Sequence, residues 1–247
     1  MSDPADALPR EVAQALAADL ATLALLHDAE PAAALLEELA SSPMRDWLAL
    51  ELRSEPAVEG CALLDRALAG LERPVGQATL DALAADFAAI YLVHACRAAP
   101  SESPWLDKDQ IERQEPMFEV RGWYRHYGLA VENWAERPDD HLVNQLRFLA
   151  HLLGEVSGPV ALRDAARFLD AHTLRWVPQF ARRVAARCAT PYFAGLALLT
   201  LGYLDELREL LAEVTLEPRP EPGPSEPVEQ PQPEPVRAYL PGAGPSW

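Results

Sequence analysis

Apolar side chains recur at spacings of three and four along most of this chain, the period of an amphipathic helix. Val12, Leu16, Leu20 and Leu23 mark a first helix that ends near Asp28. Pro31 opens a short second one through Leu35, Leu36 and Leu39. Ser42 and Pro43 read as a cap and a first-position proline leading into Trp47, Leu48, Leu50 and Leu52. Pro56 opens a further helix with Val58, Cys61, Leu64 and Leu68 on one side and Gly70 near its end. Leu80, Leu83, Phe87, Ile90 and His94 continue the pattern, and Pro116 starts a helix through Met117, Val120, Trp123, Tyr124 and Tyr127.

The next stretch carries the clearest start signal. Pro138 suits a first helical position, where its missing N–H costs nothing. Asp139 and Asp140 then fall in the first turn, and Leu142, Leu146, Leu149 and Leu153 form one stripe that Gly154 ends. Beyond the Ser157-Gly158-Pro159 break, one helix carries Leu162, Ala165, Phe168 and Leu169, and another Trp176, Phe180 and Val184. The last begins at Thr190-Pro191 and runs through Val214. No segment alternates at period two, so no strand is expected. The pattern predicts an all-α fold, a single compact domain of about nine or ten helices in two helical halves.

From Glu217 the composition changes. Ten of the 23 prolines fall in the last 31 residues, with few large apolar side chains. Such a segment buries too little surface to offset its ordering entropy. Residues 1–216 are therefore expected to be the folded domain and residues 217–247 a disordered proline-rich tail. Truncation at Leu216 is expected to leave the melting temperature unchanged.

Composition narrows the function. A net charge of −17 disfavours nucleic acid and anionic membranes, which need clustered cations, and suits a cationic peptide. Cys61, Cys96 and Cys188 are odd in number and widely spaced, fitting neither a disulfide framework nor a zinc site. No run approaches the roughly 18 apolar residues of a membrane span. The acidic N-terminus lacks the basic and apolar regions of a secretory signal. A cytoplasmic location is expected. No nucleotide-binding glycine motif occurs, and Asp139, Asp140 and His141 find no second cluster to complete a catalytic or metal site. No enzymatic activity and no cofactor are expected.

The stretch Pro138-Asp139-Asp140-His141, followed by leucines at helical spacing, resembles the signature of the TorD/DmsD family of molybdoenzyme chaperones. Arg137 stands where that family often has Glu, and Glu136 lies one residue earlier. Further pieces are similar in order and spacing. They are Asp86-Phe87, the loop Pro100-Ser101-Glu102-Ser103-Pro104-Trp105, the helix Glu119-Val120-Arg121-Gly122-Trp123-Tyr124, and Phe168, His172, Trp176 and Phe180 with Tyr192-Phe193. The resemblance covers residues 80 to 210.

It implies an all-helical cytoplasmic chaperone that holds the twin-arginine leader of a molybdopterin-dependent oxidoreductase precursor and its cofactor-free body until the molybdenum cofactor is inserted. Asp139, Asp140 and Glu136 would pair with leader guanidiniums, Pro138 and His141 would belong to the same site, and Trp105, Trp123 and Tyr124 would line an apolar groove. For each of these the residues also admit a plain structural role. The aspartates then stabilise a helix start, His141 is a satisfied core histidine, and the aromatics fill core edges. A monomer and a dimer that exchanges helices through residues 130–137 are both compatible with the pattern. The alternative is a helical scaffold acting through its proline-rich tail.

Overall fold

The computed structural model describes residues 8–220, so residues 221–247 of the expected tail lie outside the described residues. Ten α-helices, one of them a four-residue turn, make up the described chain. They are α1 (Arg10–Asp28), α2 (Ala33–Leu39), α3 (Glu55–Ala69), α4 (Gln77–Phe87), α5 (Ser103–Leu106), α6 (Glu115–His126), α7 (Leu142–His151), α8 (Gly158–Phe168), α9 (Leu174–Arg187) and α10 (Pro191–Thr215). No strand occurs among the described residues; Ser101 and His141 form an isolated antiparallel bridge. The expected all-α architecture holds, and one continuous apolar core runs through all the long helices.

The core is built around α10. The first half of this helix, from Tyr192 to Leu204, is buried around the whole circumference, as a helix segment enclosed by neighbours must be. It packs on α3, α8 and α9, while α1 packs on α7. The α3–α10 crossing is close because small residues face each other. A Cβ on Gly202 would lie 2.5 Å from the Ala57 Cβ and 2.6 Å from its Cα, and one on Gly195 would lie 2.8 Å from the Gly60 carbonyl oxygen. Polar clamps fix the ends. Asp86 accepts from the Ala189 and Thr190 backbone N–H groups at 2.9 and 2.6 Å, which sets the start of α10. Buried Arg208 forks onto Asp170 with two bonds of 2.8 Å.

Four boundaries differ from the sequence pattern. The stretch after Pro43 forms only a three-residue turn at Met44–Asp46, because Asp19 accepts from the Ala49 and Leu50 N–H groups and holds that segment extended across α1. Ser103–Leu106 is helical inside the stretch that the sequence reads as a loop. Helices α8 and α9 run on through a π-helical turn, Leu169–Thr173, without a break. The helix expected from Pro138 starts at Leu142, and it passes Gly154 in another π turn, Leu152–Val156, before Ser157 at φ 57° ends it.

The residues just past the expected domain end touch the fold. Arg208 donates to the Glu217 carbonyl at 3.3 Å, Arg167 reaches the Glu217 carboxylate at 2.8 Å, and Arg219 reaches Asp205 at 2.9 Å. A chain ending at Pro220 should melt like the full length. One ending at Leu216 should melt a few degrees lower, a loss of about 1 kcal/mol; equal melts would show that these contacts contribute nothing. Gly202→Ala should lower stability by about 1–3 kcal/mol, since the methyl meets backbone rather than a movable side chain. A denaturant melt unchanged or raised by that substitution would contradict the close crossing.

Candidate functional site

The segment before α7 pairs with the loop before α5. The Leu142 N–H bonds to the Pro100 carbonyl at 2.8 Å and the Glu102 N–H to the Asp140 carbonyl at 3.1 Å. This contact explains the late start of α7: Asp139 and Asp140 form a tight turn closed by the His141 N–H on the Pro138 carbonyl at 3.1 Å, and His141 is extended beside Ser101 before the helix begins. His141 becomes the cap: its Nδ1 accepts from the Val143 N–H at 3.2 Å. Burial holds the His141 ring well below its ordinary pKa, so it stays neutral and able to accept.

Both aspartates are buried and engaged within the chain. Arg121 forks onto Asp139, Nε to Oδ1 at 3.2 Å and Nη2 to Oδ2 at 2.8 Å, and the Tyr124 hydroxyl donates to the Asp139 carbonyl at 3.0 Å. The Arg121 guanidinium lies between the half-exposed rings of Phe118 and Trp134, 5.3 and 5.1 Å from their centroids. Asp140 Oδ2 accepts from the Ser103 N–H at 2.8 Å and its hydroxyl at 2.6 Å, while Oδ1 has no partner among the described residues. Glu102, with no exposure, accepts from Gln145 at 2.7 Å and contacts His172 Nδ1 at 3.1 Å. Gln145 in turn accepts from the Trp176 indole N–H at 3.3 Å. Four separate sequence pieces therefore meet in one buried polar network.

Burial raises the Asp140 pKa to about 6, with the Ser103 hydrogen bonds opposing the rise and the nearby Glu102 charge adding to it. The folded chain thus binds this proton more tightly than the unfolded chain, where an aspartate titrates near about 3.9.

Beside the network opens a cleft of about 900 Å³. Its walls are the end of α1 at His27 and Asp28, the π turn after α4 at Tyr91 and Leu92, the loop 129–138, and the α7 face of Asn144 and Arg147. At its base His27 is clamped on both nitrogens. Nε2 lies 2.8 Å from the Thr200 hydroxyl, which itself donates to the Leu196 carbonyl, so Nε2–H donates and Nδ1 accepts from the Tyr91 hydroxyl. Burial lowers the His27 pKa to about 3. Asp28 carries two ion pairs, to Arg137 and to Arg147. Glu132 and Glu136 are exposed on the cleft loop and make no ion pair among the described residues.

Of the residues that the sequence singled out, Glu136, Pro138, His141 and Tyr124 border the cleft. Asp139 and Asp140 lie behind it. Trp105 and Trp123 are elsewhere: Trp105 stacks under Arg183 at 4.5 Å, and Trp123 packs edge-on against Phe168 and His172. Asp28, Arg147, Glu112 and Glu132 border the cleft without having been singled out. Nothing local marks them, since the site is assembled from helix ends and loops spread between His27 and His151. Arg121 stood inside a quoted motif, but its partner Asp139 is not visible from spacing. No group of three or more His, Cys, Asp or Glu is placed to hold a metal among the described residues. No described helix is long and apolar enough to cross a membrane.

The family model described as nitrate reductase delta subunit matches residues 55–182. Among curated proteins, a Vibrio cholerae protein named Chaperone protein TorD (classical Ogawa 395) is 30% identical over 143 residues, 55% of this chain and 64% of that protein. A namesake from the El Tor strain is 31% identical over 140 residues, 53% of this chain and 63% of that protein. The match thus spans less than two thirds of either Vibrio protein. The Salmonella paratyphi B protein of the same name is 29% identical over 214 residues, 85% of this chain and 98% of that protein.

The pH response of the network is measurable. The contribution of Asp140 is fully present below about pH 3.9 and is lost as pH rises through about 6. The stability of the parent chain relative to Asp140→Asn should therefore fall between about pH 4 and pH 6, because the variant lacks the titrating group. Denaturant melts across that range check this; a difference that rises with pH would mean that Asp140 is ionised and stabilising in the fold.

Proposed function

The chain belongs to the nitrate reductase delta subunit family, the family of the TorD chaperones, and on that premise we propose that it is a molybdoenzyme maturation chaperone. In this reading it acts in the cytoplasm, without catalysis, on the precursor of a molybdopterin-dependent oxidoreductase. It holds the precursor's twin-arginine leader and delays export until the cofactor is in place.

The observation that carries this reading is the cleft beside the Asp139–His141 network. The cleft is large enough for several side chains of an extended or helical peptide. Its loop presents Glu132 and Glu136 with no ion pair among the described residues, and Glu112 stands on its border. Leu92 and Val93, 63% and 69% exposed, offer apolar surface at the π turn. A twin-arginine leader has matching chemistry, two guanidiniums followed by an apolar stretch. Carboxylates favour arginine there over lysine because the guanidinium fork can bond both oxygens.

The roles of the motif residues divide accordingly. Glu136 faces the ligand, Pro138 and His141 form the inner wall, and Tyr124 closes the base. Asp139 and Asp140 act through position: their bonds to Arg121 and Ser103 hold residues 138–141 against the loop 100–103 and so fix the cleft wall. Trp105 and Trp123 brace α9 and the α8 end from outside the cleft.

Calorimetric titration with twin-arginine leader peptides from the same genome tests the reading. Binding is expected, weakened several-fold when the two arginines are replaced by lysines and about tenfold in Glu136→Gln, the scale of one charge-assisted bond of about 1.5 kcal/mol. Absence of binding to every leader and precursor by the folded chain would refute it.

A further inference from the structure

One carboxylate in the cleft already carries two guanidiniums. Asp28 Oδ1 faces Arg137 Nη1, and Oδ2 accepts from Arg147 Nη2 at 2.7 Å. The Asp28 backbone carbonyl also accepts from Arg137 Nη2 at 3.3 Å. Asp28 is the last residue of α1, so its carboxylate adds to the negative end of the helix dipole and the position favours cations twice over. Among the described residues neither arginine reaches another carboxylate.

The two arginines differ in how firmly they are placed. Arg147 projects from α7, a helix packed along α1. Arg137 sits on the non-helical stretch between α6 and α7, next to Glu136. The side chains of Asp28, Arg137 and Arg147 are 23%, 32% and 52% exposed and all three line the cleft, with Asp28 Oδ1 covered in the free chain.

We propose that Asp28 is the guanidinium-binding carboxylate of this cleft, and that Arg137 holds that position in the free chain until an arginine of the bound leader displaces it. The inference rests on the leader reading above, which supplies the arginine-bearing ligand. It names a residue that the signature motif does not contain and gives Arg137 the role of an internal competitor.

The exchange is chemically balanced. One guanidinium replaces another on the same carboxylate, so no buried charge is left without a partner, the costly outcome for such a pair. Displaced Arg137 moves outward with its loop into water. A lysine ligand would replace a forked contact by a single point charge and gain less. The competitor lowers apparent affinity by the fraction of chains in which Asp28 is open. Removing it should therefore tighten binding.

The experiment titrates the full-length chain, Arg137→Gln and Asp28→Asn with one twin-arginine leader peptide, with a thermal melt of each. Arg137→Gln should bind about fivefold or more tightly than the parent, through the larger open fraction. Asp28→Asn should bind about tenfold more weakly, and adding Arg137→Gln to it should restore nothing, since the two changes act on one contact. Equal or weaker binding by Arg137→Gln, or a gain that persists without Asp28, overturns the inference and leaves the Arg137–Asp28 pair a structural tie. If the parent binds the leader and Arg137→Gln does not improve on it, this inference alone fails; if no variant binds, the leader reading fails with it. Should Asp28→Asn melt far below the parent, the comparison of Arg137→Gln with the parent decides by itself.

Discussion

Two carboxylates with almost no exposure, Asp140 and Glu102, hold the cleft end of this fold together. Each costs several kcal/mol to bury as an ion, and each is retained only because donors are fixed around it. For Asp140 those donors are the backbone and hydroxyl of Ser103; for Glu102 they are Gln145 and His172. The donors come from the loop 100–103, α7 and the π turn after α8. Satisfying the carboxylates therefore requires all three elements to dock at once. The antiparallel contact between residues 100–103 and 139–142 follows, as does the start of α7 at Leu142.

The position of the cleft follows from that network. With residues 138–141 pinned, the preceding loop must leave α6 and cross in front of α1 to reach them. It therefore arches beside His27, Asp28 and the Tyr91 turn and encloses the cleft with them. The Tyr91–His27–Thr200 chain connects the base of the cleft to α10, the helix around which the core is built. A motif of buried acids thus shapes the cleft wall without supplying the charges on its rim. Those come from Asp28, Glu132 and Glu136 along the rim.

The helical architecture was readable from the sequence because each long helix carries its own apolar stripe. For α1, α3, α6 and α10 the stripe and the flanking prolines and glycines place the ends within a few residues of those observed. The start of α7 was not readable. Pro138 and two aspartates are a sound local start signal, but the hydrogen bonds that the aspartates make go to Arg121 and Ser103, partners 18 and 37 residues away. Trp105 and Trp123 were misplaced for a related reason: an aromatic on a loop or a helix face shows its apolar payload but not its direction. Asp28 carried no local signal at all. It looks like any acidic residue at a helix end until α7 and the loop bring Arg147 and Arg137 to it.

The central claim is that the motif builds the wall of the cleft while the ligand meets the rim. Amide hydrogen exchange of the full-length chain with and without a saturating twin-arginine leader separates the two most directly. The expected result is new protection at residues 91–94 and 129–137. Residues 102–103 and 141–145 should be slow in both states, since their amides are already bonded inside the fold. New protection at residues 102–103 and 141–145, with none on the loop 129–137, would contradict the claim and place the ligand on the buried motif itself.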